Sequence, residues 1–452
     1  MPQAHATIAE MFDRTLARRG NDPAIGRIAD GELTWQTWAE FAACPGRLLD
    51  MIRQGDAGSH KLVPTSGTGG TPKTACITQQ NLVFTTLAVA KAITESLGDE
   101  DDRDEVRLSI LPFEHLYARV CDLYAWVYRG TRLVLPESRE TVFRDCKIAR
   151  PTTINGVPYF FQKAVDVAER RGEPLREVLG GAIKRCYCGG AALSPALQRH
   201  YFDQGVPLLN GYGLTEASPV VTVSTIADYK IGTVGKPLPG VEVRIAGPSS
   251  ETPGEVLVRG PNVMLGYADE SGAIDRTATD EAIRDGWLHT GDLGELDGDG
   301  FLTITGRKKE LMVLSTGKNV APAAIEARLG ASPWIEQACV VGDGRKFLSA
   351  ILVPNPDRVR AEVRGRRLWV FSKRHALRHP VVRGVFRQEI DRCLADLPRH
   401  EQVKAFTILP RAFSAERGEI TPKLSLRRPV IEASFRREIE RMYQAAAPQL
   451  TT

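Results

Sequence analysis

Apolar positions near the start of the chain follow helical and strand periods. An amphipathic helix is predicted over 6–19, and a short strand that leads into a second helix is predicted over 32–38. The apolar positions on one face of the first helix are Ile8, Met11, Phe12 and Leu16. A further apolar cluster at 48–52 continues a helix, which Gly55 and Gly58 end.

Further along the chain, short apolar runs bounded by turn residues alternate with helical patterns. Residues 232–237 and 254–261 predict short strands with tight turns, as in a small β-subdomain. Residues 335–342 and 347–354 predict two paired strands, and the helix before them is expected to begin near Pro322. The alternation of strands and helices predicts an α/β fold.

The length and composition describe a multidomain globular protein. A chain of 452 residues exceeds the usual ceiling for one hydrophobic core, so at least two domains are expected. A net charge of +4 over this length argues against nucleic acid as the partner. No apolar run approaches the ~18 residues of a membrane span. The first residues lack a signal-peptide pattern, so we expect a cytoplasmic protein without an integral membrane segment.

Eight cysteines are scattered along the chain, and only Cys186 and Cys188 are closely spaced. One intervening residue is a weak signal for metal binding. On a strand, this spacing places both thiols on one face. We therefore expect reduced, mostly buried cysteines.

A glycine-rich loop at 65–73 is the first candidate for phosphate binding. Its glycines allow backbone amides to turn toward phosphate oxygens, its hydroxyls add donors, and its lysine adds charge. It is not a Walker A loop, because no Gly-Lys-Ser/Thr follows at the required offset. The candidate ligands are Thr65, Ser66, Gly67, Thr68 and Lys73.

Two further glycine clusters and one carboxylate–guanidinium pair are also candidate binding residues. Gly190 and Ala191 follow a predicted strand and precede a helix that Ser194 caps, with Pro195 at its first position. Asp292 and Arg307 lie beside small residues, so a carboxylate and a guanidinium can close on a hydroxyl-rich ligand such as ribose. The third cluster comprises Asn210, Gly211, Tyr212, Gly213, Thr215 and Glu216.

The chain resembles the acyl-adenylate-forming superfamily, and its sequence motifs are most similar to those of the long-chain acyl-CoA synthetase branch. The resemblance is carried by residues 65–73, 109–116, 210–219, 285–322 and 418–428, in the family's order. It implies a large domain of sheets flanked by helices plus a β-subdomain over 1–307. A small mobile α+β domain would cover 308–452, with a hinge at Lys309.

The resemblance also implies roles for individual residues. Lys423, His115 and Thr215 would act at the reacting carboxylate and phosphate, Tyr212 would stack on adenine, and Glu216 would hold Mg²⁺. Lys309 would be the pivot between two orientations of the small domain. The channel for the pantetheine arm of coenzyme A would be lined by Ser315, Gly317, Lys318 and Asn319. The implied ligands are ATP or the AMP moiety of an acyl-adenylate, coenzyme A and Mg²⁺.

The chain departs from the family pattern before and within the phosphate loop. The loop arrives soon after the first strands, so the first subdomain is expected to be shortened and the active site more open. Gly69 stands where the family usually has threonine, and Thr74-Ala75 replaces the usual Gly-Val. The shortened layout resembles the non-adenylating diterpenoid acyl-CoA ligases of platensimycin and platencin biosynthesis.

Several functions remain open at this stage. The first is transfer of an acyl group, such as a bulky diterpenoid acid, from an acyl-adenylate to coenzyme A, with a separate ligase supplying the adenylate. The alternatives are a complete ATP-dependent long-chain fatty acid–CoA ligase, a fatty acyl-AMP ligase that loads a carrier protein, and a non-catalytic acyl-nucleotide binder. Dimers occur in this branch, so a homodimer is one expected assembly. Residues 99–105 are expected to form a solvated acidic loop, and the basic stretch 358–374 a solvated helix face or a contact with the phosphates of coenzyme A.

Overall fold

The computed structural model describes residues 7–53, 60–65, 73–97, 104–247, 254–414, 416–420 and 426–446. The chain divides into two compact units. Within the described residues, unit 1 comprises 7–247, 254–290 and 294–304, and unit 2 comprises 291–293 and the chain from Thr305 onward. The domain boundary after residue 307 and the hinge at Lys309 remain predictions.

Unit 1 and its junction with unit 2 contain eleven of the described helices and eighteen of the described strands. The helices are α1 (Ile8–Arg19), α2 (Trp38–Ala43), α3 (Arg47–Arg53), α4 (Gln79–Leu97), α5 (Leu116–Ala118), α6 (Ala125–Arg129), α7 (Val142–Ala149), α8 (Pro158–Arg171), α9 (Leu175–Val178), α10 (Pro195–Asp203) and α11 (Arg276–Ala282). The strands are β1 (Pro23–Ala29), β2 (Glu32–Thr37), β3 (His60–Pro64), β4 (Thr74–Thr78), β5 (Val106–Ser109), β6 (Arg132–Leu135), β7 (Thr153–Gly156), β8 (Arg185–Cys188), β9 (Leu208–Tyr212), β10 (Thr222–Val223), β11 (Lys236–Pro237), β12 (Glu242–Ala246), β13 (Gly254–Arg259), β14 (Gly266–Ala268), β15 (Ile274–Asp275), β16 (Ile283–Arg284), β17 (Trp287–Leu296) and β18 (Leu302–Arg307).

A nine-stranded sheet of order β11-β10-β9-β8-β7-β5-β6-β1-β2 is the centre of unit 1. Its strands from β9 to β1 are parallel, whereas β2, β10 and β11 join antiparallel. Neighbouring residues of one strand enter opposite cores: Leu133 belongs to the core that contains Trp38 and Trp126, and Val134 belongs to the core that contains Phe161. Helices therefore cover both faces, as a largely parallel sheet requires.

Two smaller sheets carry the remaining strands of this part of the chain. One has the order β15-β14-β4-β3, and the other has the order β12-β13-β17-β16 with β18 paired to β17. The antiparallel pairing of β12 with β13 confirms the later strands of the predicted β-subdomain. Its first segment, 232–237, was wrongly placed there, because β11 pairs with β10 and belongs to the nine-stranded sheet.

Unit 2 is a small α+β assembly. A hairpin of β19 (Met312–Val313) and β20 (Asn319–Val320) precedes a three-stranded sheet of β21 (Ile335–Val341), β22 (Leu348–Pro354) and β23 (Val403–Ile408). Its helices are α12 (Pro322–Leu329), α13 (Pro356–Gly365), α14 (Lys373–Arg378), α15 (Pro380–Cys393), α16 (Arg428–Ser434) and α17 (Arg436–Ala446). Val340 and Val341 enter different cores, so this sheet is also covered on both faces.

Most local predictions are confirmed. Helix α1 buries Ile8, Met11 and Phe12, and Thr7 caps its first turn. Ser194 accepts from Leu197 N at the start of α10. All eight cysteines are free; Cys186 and Cys188 lie on β8 with both thiols in one core, while Cys44 is exposed.

One expectation about the acidic run was wrong. Glu105 is buried, and its carboxylate lies within 2.8 Å of Arg107 Nη2, 3.1 Å of Arg129 Nη1 and 2.6 Å of Arg185 Nη2. Three inward-facing arginines from β5, α6 and β8 require a compensating carboxylate, because a buried unpaired charge is costly. Asp104 beside it is exposed, as predicted, and 98–103 lie outside the described residues.

Candidate active site

The predicted phosphate loop is the connection of the β3–β4 hairpin. Pro64 lies opposite Thr74, and Thr65 N donates to Lys73 O at 2.8 Å, which closes the base of the loop. The predicted ligands Ser66, Gly67 and Thr68 lie outside the described residues. The two ends of the loop, Thr65 and Lys73, are therefore held next to each other.

Lys73 and Glu216 meet around one tyrosine. Tyr267, on β14, donates from its hydroxyl to Glu216 Oε1 at 2.8 Å, and Lys73 Nζ lies 4.7 Å from the centroid of its ring. Burial, and then the neighbouring Glu216 carboxylate, raise the pKa of Tyr267 well above its usual value. Lys73 Nζ is also 3.9 Å from Glu281 Oε2. A cation and a carboxylate therefore flank the base of the phosphate loop.

Glu216 is a suitable ligand for a magnesium ion that also binds nucleotide phosphates. Among the described residues, no three His, Cys, Asp or Glu side chains cluster as a metal site. Mg²⁺ needs no such cluster, because it usually takes one or two carboxylates together with substrate phosphates and water. The predicted role of Glu216 thus fits the donor set, with phosphate oxygens supplied by the substrate.

The segment from Asn210 to Glu216 is held close to the turn that follows it. Gly213 must be glycine, since a Cβ there would lie 1.8 Å from the carbonyl oxygen of Pro219. Asn210 is buried and donates from Nδ2 to Thr233 O at 3.2 Å. Thr215 begins a short 3₁₀ turn directly after this strand end. Tyr212 is half-buried at the end of β9.

Gly190 and Ala191 are exposed at the carboxyl end of the neighbouring strand, β8. Gly190 has a φ of +78°, a conformation that L side chains rarely adopt. Because β8 and β9 are parallel neighbours, these two residues share one sheet edge with Tyr212. Ligands bind at such edges in open α/β sheets.

His115 lies at the same edge, beyond β5. It is exposed and occupies the N-cap position of α5. Arg119, one turn later, donates from Nε to Phe113 O at 2.8 Å, which fixes the loop that carries the histidine. A π-helical turn then spans Arg119–Tyr124; such turns recur at functional sites.

Asp122 in this turn is a supporting residue that the sequence did not reveal. It is fully buried, accepts from Asn155 Nδ2 at 2.7 Å and from Ser109 Oγ at 3.1 Å, and lies near Arg107. Burial raises its pKa to about 6, against the opposing effect of Arg107. The network ties the His115 segment to β5 and β7. A charged residue within the apolar stretch 120–127 was its only sequence signal.

Asp292 and Arg307 are brought together as predicted. Arg307 Nε lies 2.9 Å from Asp292 Oδ1, joining β17 to β18. The Asp292 side chain is only 5% exposed, whereas that of Arg307 is 45% exposed. The aspartate is thus fixed, while the arginine presents donors to solvent.

The proposed channel residues form one exposed hairpin in unit 2. Ser315, Gly317, Lys318 and Asn319 lie in the β19–β20 hairpin, where Leu314 N donates to Lys318 O at 2.9 Å and Gly317 has a φ of +78°. Lys309 lies exposed in the 3₁₀ turn Lys308–Glu310, before the hairpin.

Lys423 lies outside the described residues, but both flanks of its segment are anchored in unit 2. On one side, the Glu419 carboxylate accepts hydrogen bonds from Nη2 and Nη1 of Arg411, at 2.6 and 2.7 Å. Arg428 on the other side binds Glu326 through Nη1 and Nη2, at 2.6 and 3.1 Å.

Comparison with known proteins identifies the family. Residues 62–268 match the model of the AMP-binding enzyme family, and 309–447 match the model of the AMP-binding enzyme C-terminal domain. The long-chain-fatty-acid–CoA ligase FadD15 of Mycobacterium tuberculosis is 34% identical over 410 residues, covering 81% of this chain and 66% of that protein. The putative fatty-acid–CoA ligase fadD11 of the same species is 33% identical over 433 residues, covering 84% and 73%.

A solved structure shows the same architecture. The o-succinylbenzoate CoA synthetase of Bacillus subtilis, in complex with its acyl-adenylate intermediate, superposes with a TM-score of 0.63 at 25% identity and covers 82% of this chain and 68% of that one. The chain thus spans about two thirds of the length of these proteins. No helix in the described residues has the length and apolar character to cross a membrane. The chain belongs to the AMP-binding enzyme family.

Proposed function

We propose that this protein is an acyl-CoA ligase that transfers an acyl group from an acyl-adenylate to coenzyme A, with thioester formation favoured over adenylation. In that step the thiolate sulfur attacks the acyl carbon, the C–S bond forms, the C–O bond to phosphate breaks, and AMP leaves. A phosphate monoester is a far better leaving group than oxide. The acyl-adenylate is therefore the form in which a carboxylate becomes transferable.

The observation that carries the preference for the second half-reaction is the position of β3. In the described part of the chain, β3 pairs only with β4 and forms the edge of its four-stranded sheet. Leu62 on this edge strand leaves 48% of its surface exposed, where a neighbouring element would cover it. The hairpin that carries the phosphate loop is thus braced on one side.

A weakly braced loop affects the two half-reactions differently. Adenylation from ATP requires a triphosphate, Mg²⁺ and a free acid to be held in line, and positioning can supply ~7–11 kcal/mol of such a barrier. Thioester formation requires recognition of the AMP moiety and access for the thiol. Within unit 1, the glycine edge at Gly190 and Gly213 would serve the recognition of adenine. Within unit 2, the Asp292–Arg307 pair would serve the recognition of ribose.

Different groups of unit 2 would serve the two steps. Lys423 would contact the carboxylate and α-phosphate during adenylation, while Lys318 and its hairpin would line the path of the pantetheine arm. Lys309 would be the pivot between the two arrangements. Mg²⁺ on Glu216 would supply charge neutralisation for the phosphates.

Product analysis by mass spectrometry tests the proposal. The protein is given either ATP, acid and coenzyme A, or a pre-formed acyl-adenylate and coenzyme A. We expect acyl-CoA from the adenylate and little from ATP. Lys318→Ala should slow thioester formation by about tenfold or more. Lys423→Ala should leave that step unchanged, and Lys346→Ala is the matched exposed-lysine control. No acyl-CoA from any adenylate would overturn the proposal and favour a non-catalytic acyl-nucleotide binder.

A complete ATP-dependent long-chain fatty acid–CoA ligase is the second candidate. Lys423 is retained, and the relatives at 34% and 33% identity are named as fatty-acid–CoA ligases. Pyrophosphate exchange with a cognate acid, lost in Lys423→Ala, would establish it. Competition between coenzyme A and a carrier protein would identify a fatty acyl-AMP ligase.

The acyl group we propose is bulky and polycyclic, such as a diterpenoid acid. The shortened first subdomain would leave the active site more open, and an open site would accommodate a broad rigid group more readily than a long flexible chain. A separate adenylating ligase would then supply the substrate. Parallel assays with fatty acyl and diterpenoid adenylates would rank the two classes directly.

A further inference from the structure

Two aromatic side chains project from unit 2 into solvent. Trp369 is 83% exposed and Phe371 is 80% exposed, more than any other large apolar side chain in the described residues. Their ring centroids lie 5.6 Å apart, so they form one apolar projection. We call residues 368–371 the aromatic tip.

The outward direction of these rings is set by the packing of their neighbours. Leu368 and Val370 pack against the core of unit 2, whereas the alternating residues Trp369 and Phe371 face away from it. Leu368 N also donates to Val363 O at 2.9 Å.

A second contact holds the tip on its far side. Phe371 stacks on His375 at 5.5 Å between centroids, and its backbone N–H donates to His375 Nδ1 at 3.3 Å. His375 belongs to α14, whose first turn Ser372 caps. The rings are therefore displayed by an anchored segment that is tied down at both ends.

The segments on either side of the tip are rich in cations. Residues 358–378 contain eight arginines or lysines and one acid, Glu362. Arg360 pairs with Asp357 at 2.5 Å, and Arg366 pairs with Glu362 at 2.5 Å. Within the described residues, no carboxylate forms an ion pair with the other exposed cations, which are Arg358, Arg364, Arg367, Lys373, Arg374 and Arg378.

We propose that the aromatic tip docks unit 2 on a membrane surface that contains anionic lipids. Tryptophan is enriched at membrane interfaces because its ring is apolar and its N–H is polar. Basic residues around an inserted apolar group add attraction to anionic headgroups, worth about a fivefold gain in partitioning per residue. A projecting apolar tip between two cationic segments fits a lipid surface, whereas an apolar protein partner would leave these cations unpaired.

Docking of this kind would bring the enzyme to the phase in which lipophilic acyl groups dissolve. That benefit rests on the proposed function, but docking itself does not. The two are tested separately, because acyl transfer from a soluble adenylate needs no vesicles. The variants of Trp369 and Phe371 are expected to keep that activity in solution, because neither aromatic side chain has a role in the proposed reaction.

Vesicle co-sedimentation of the full chain tests the proposal. The probes are phosphatidylcholine vesicles and vesicles in which about a third of the lipid is phosphatidylglycerol. We expect binding to the anionic vesicles that weakens as salt is raised, since screening shortens the Debye length. We expect weaker binding to the neutral vesicles.

Two sets of variants separate the apolar and the charged contributions. Trp369→Ser with Phe371→Ser should lower the partition coefficient by about tenfold or more. Tyr159→Ser, at a 59% exposed aromatic of unit 1, should leave it unchanged. A triple Arg→Gln variant at the tip should lower it by roughly a hundredfold. The three arginines flank the tip in sequence at Arg364, Arg367 and Arg374, and the matched control changes Arg436, Arg437 and Arg441 of α17.

The outcomes decide between docking and its alternatives. Absence of binding to anionic vesicles, or equal binding to neutral ones, would overturn the proposal. Equal losses in the tip and control variants would also overturn it, because the attraction would then be spread over the whole cationic surface. A blue shift of the tryptophan fluorescence on vesicle binding that is lost in Trp369→Phe would support insertion of that ring.

Discussion

Replacing Arg428 by methionine removes one half of a buried ion pair in unit 2. Arg428 binds both carboxylate oxygens of Glu326, at 2.6 and 3.1 Å, and donates to Val340 O at 2.5 Å. Glu326 also accepts from Val340 N at 2.7 Å. The pair therefore joins α16, which follows the segment with Lys423, to α12 and β21.

The expected cost is large because Glu326 would keep its burial and lose its counter-ion. The two side chains are 12% and 16% exposed, so water does not replace the lost contact. Breaking a buried pair in this way typically destabilises by about 3–5 kcal/mol. Burial already raises the pKa of Glu326, against the opposing effect of Arg428, and removing the arginine should raise that pKa further.

The sign of the pH dependence follows from this shift. In Arg428→Met the folded protein holds the Glu326 proton more tightly than the unfolded chain does. The destabilisation should therefore be small below the unfolded pKa and should grow as the pH rises through the folded pKa. The variant is expected to recover part of its stability when the pH falls from 8 toward 5.

Hydrogen exchange followed by mass spectrometry is the assay, because it reports opening of β21 and α16 locally. Amides of both elements should exchange faster in Arg428→Met, and more so at the higher pH after correction for intrinsic rates. In the double variant Glu326→Leu/Arg428→Met the same amides should exchange much more slowly than in the single variant, because neither member of the buried ion pair remains. A double variant as unstable as the single one would refute the electrostatic reasoning and indicate lost packing.

Three further changes test the fold that supports the site. Gly213→Ala should destabilise unit 1 by about 3 kcal/mol in thermal melts, because the added Cβ would lie 1.8 Å from a backbone carbonyl oxygen. The control Gly298→Ala, whose Cβ would have no heavy atom within 4 Å, should leave the stability unchanged. Tyr267→Phe should cost about 1 kcal/mol in urea unfolding by removing a carboxylate hydrogen bond; no change would mean that the bond contributes nothing. Glu105→Gln should lower stability by about 3 kcal/mol or more, whereas Asp104→Asn, on an exposed carboxylate, should stay within about 0.5 kcal/mol.

The sequence determined the local elements wherever short-range physics decides them. The apolar period of α1, the cap Ser194 of α10 and the thiol pair of β8 are each set by residues a few positions apart. The candidate nucleotide-binding residues were also predicted from local patterns. Within a single short loop, glycines stand beside the hydroxyl, lysine or carboxylate side chains that can bind phosphate or a metal ion. Asp292 and Arg307 were paired correctly because the strands that carry them are joined by a short turn.

Tertiary structure decided what distant residues do to one another. Glu105 was expected to be exposed to solvent, but it pairs with arginines from three elements of unit 1. Because these arginines are buried, the carboxylate that pairs with them is buried as well. Asp122 and the exposed edge strand β3 are likewise products of packing. Trp369 is the opposite case, because its apolar ring is exposed to water. The residues on either side of it, Leu368 and Val370, pack against the core instead. Burial depends on the whole chain, and a local pattern contains only a few residues of it.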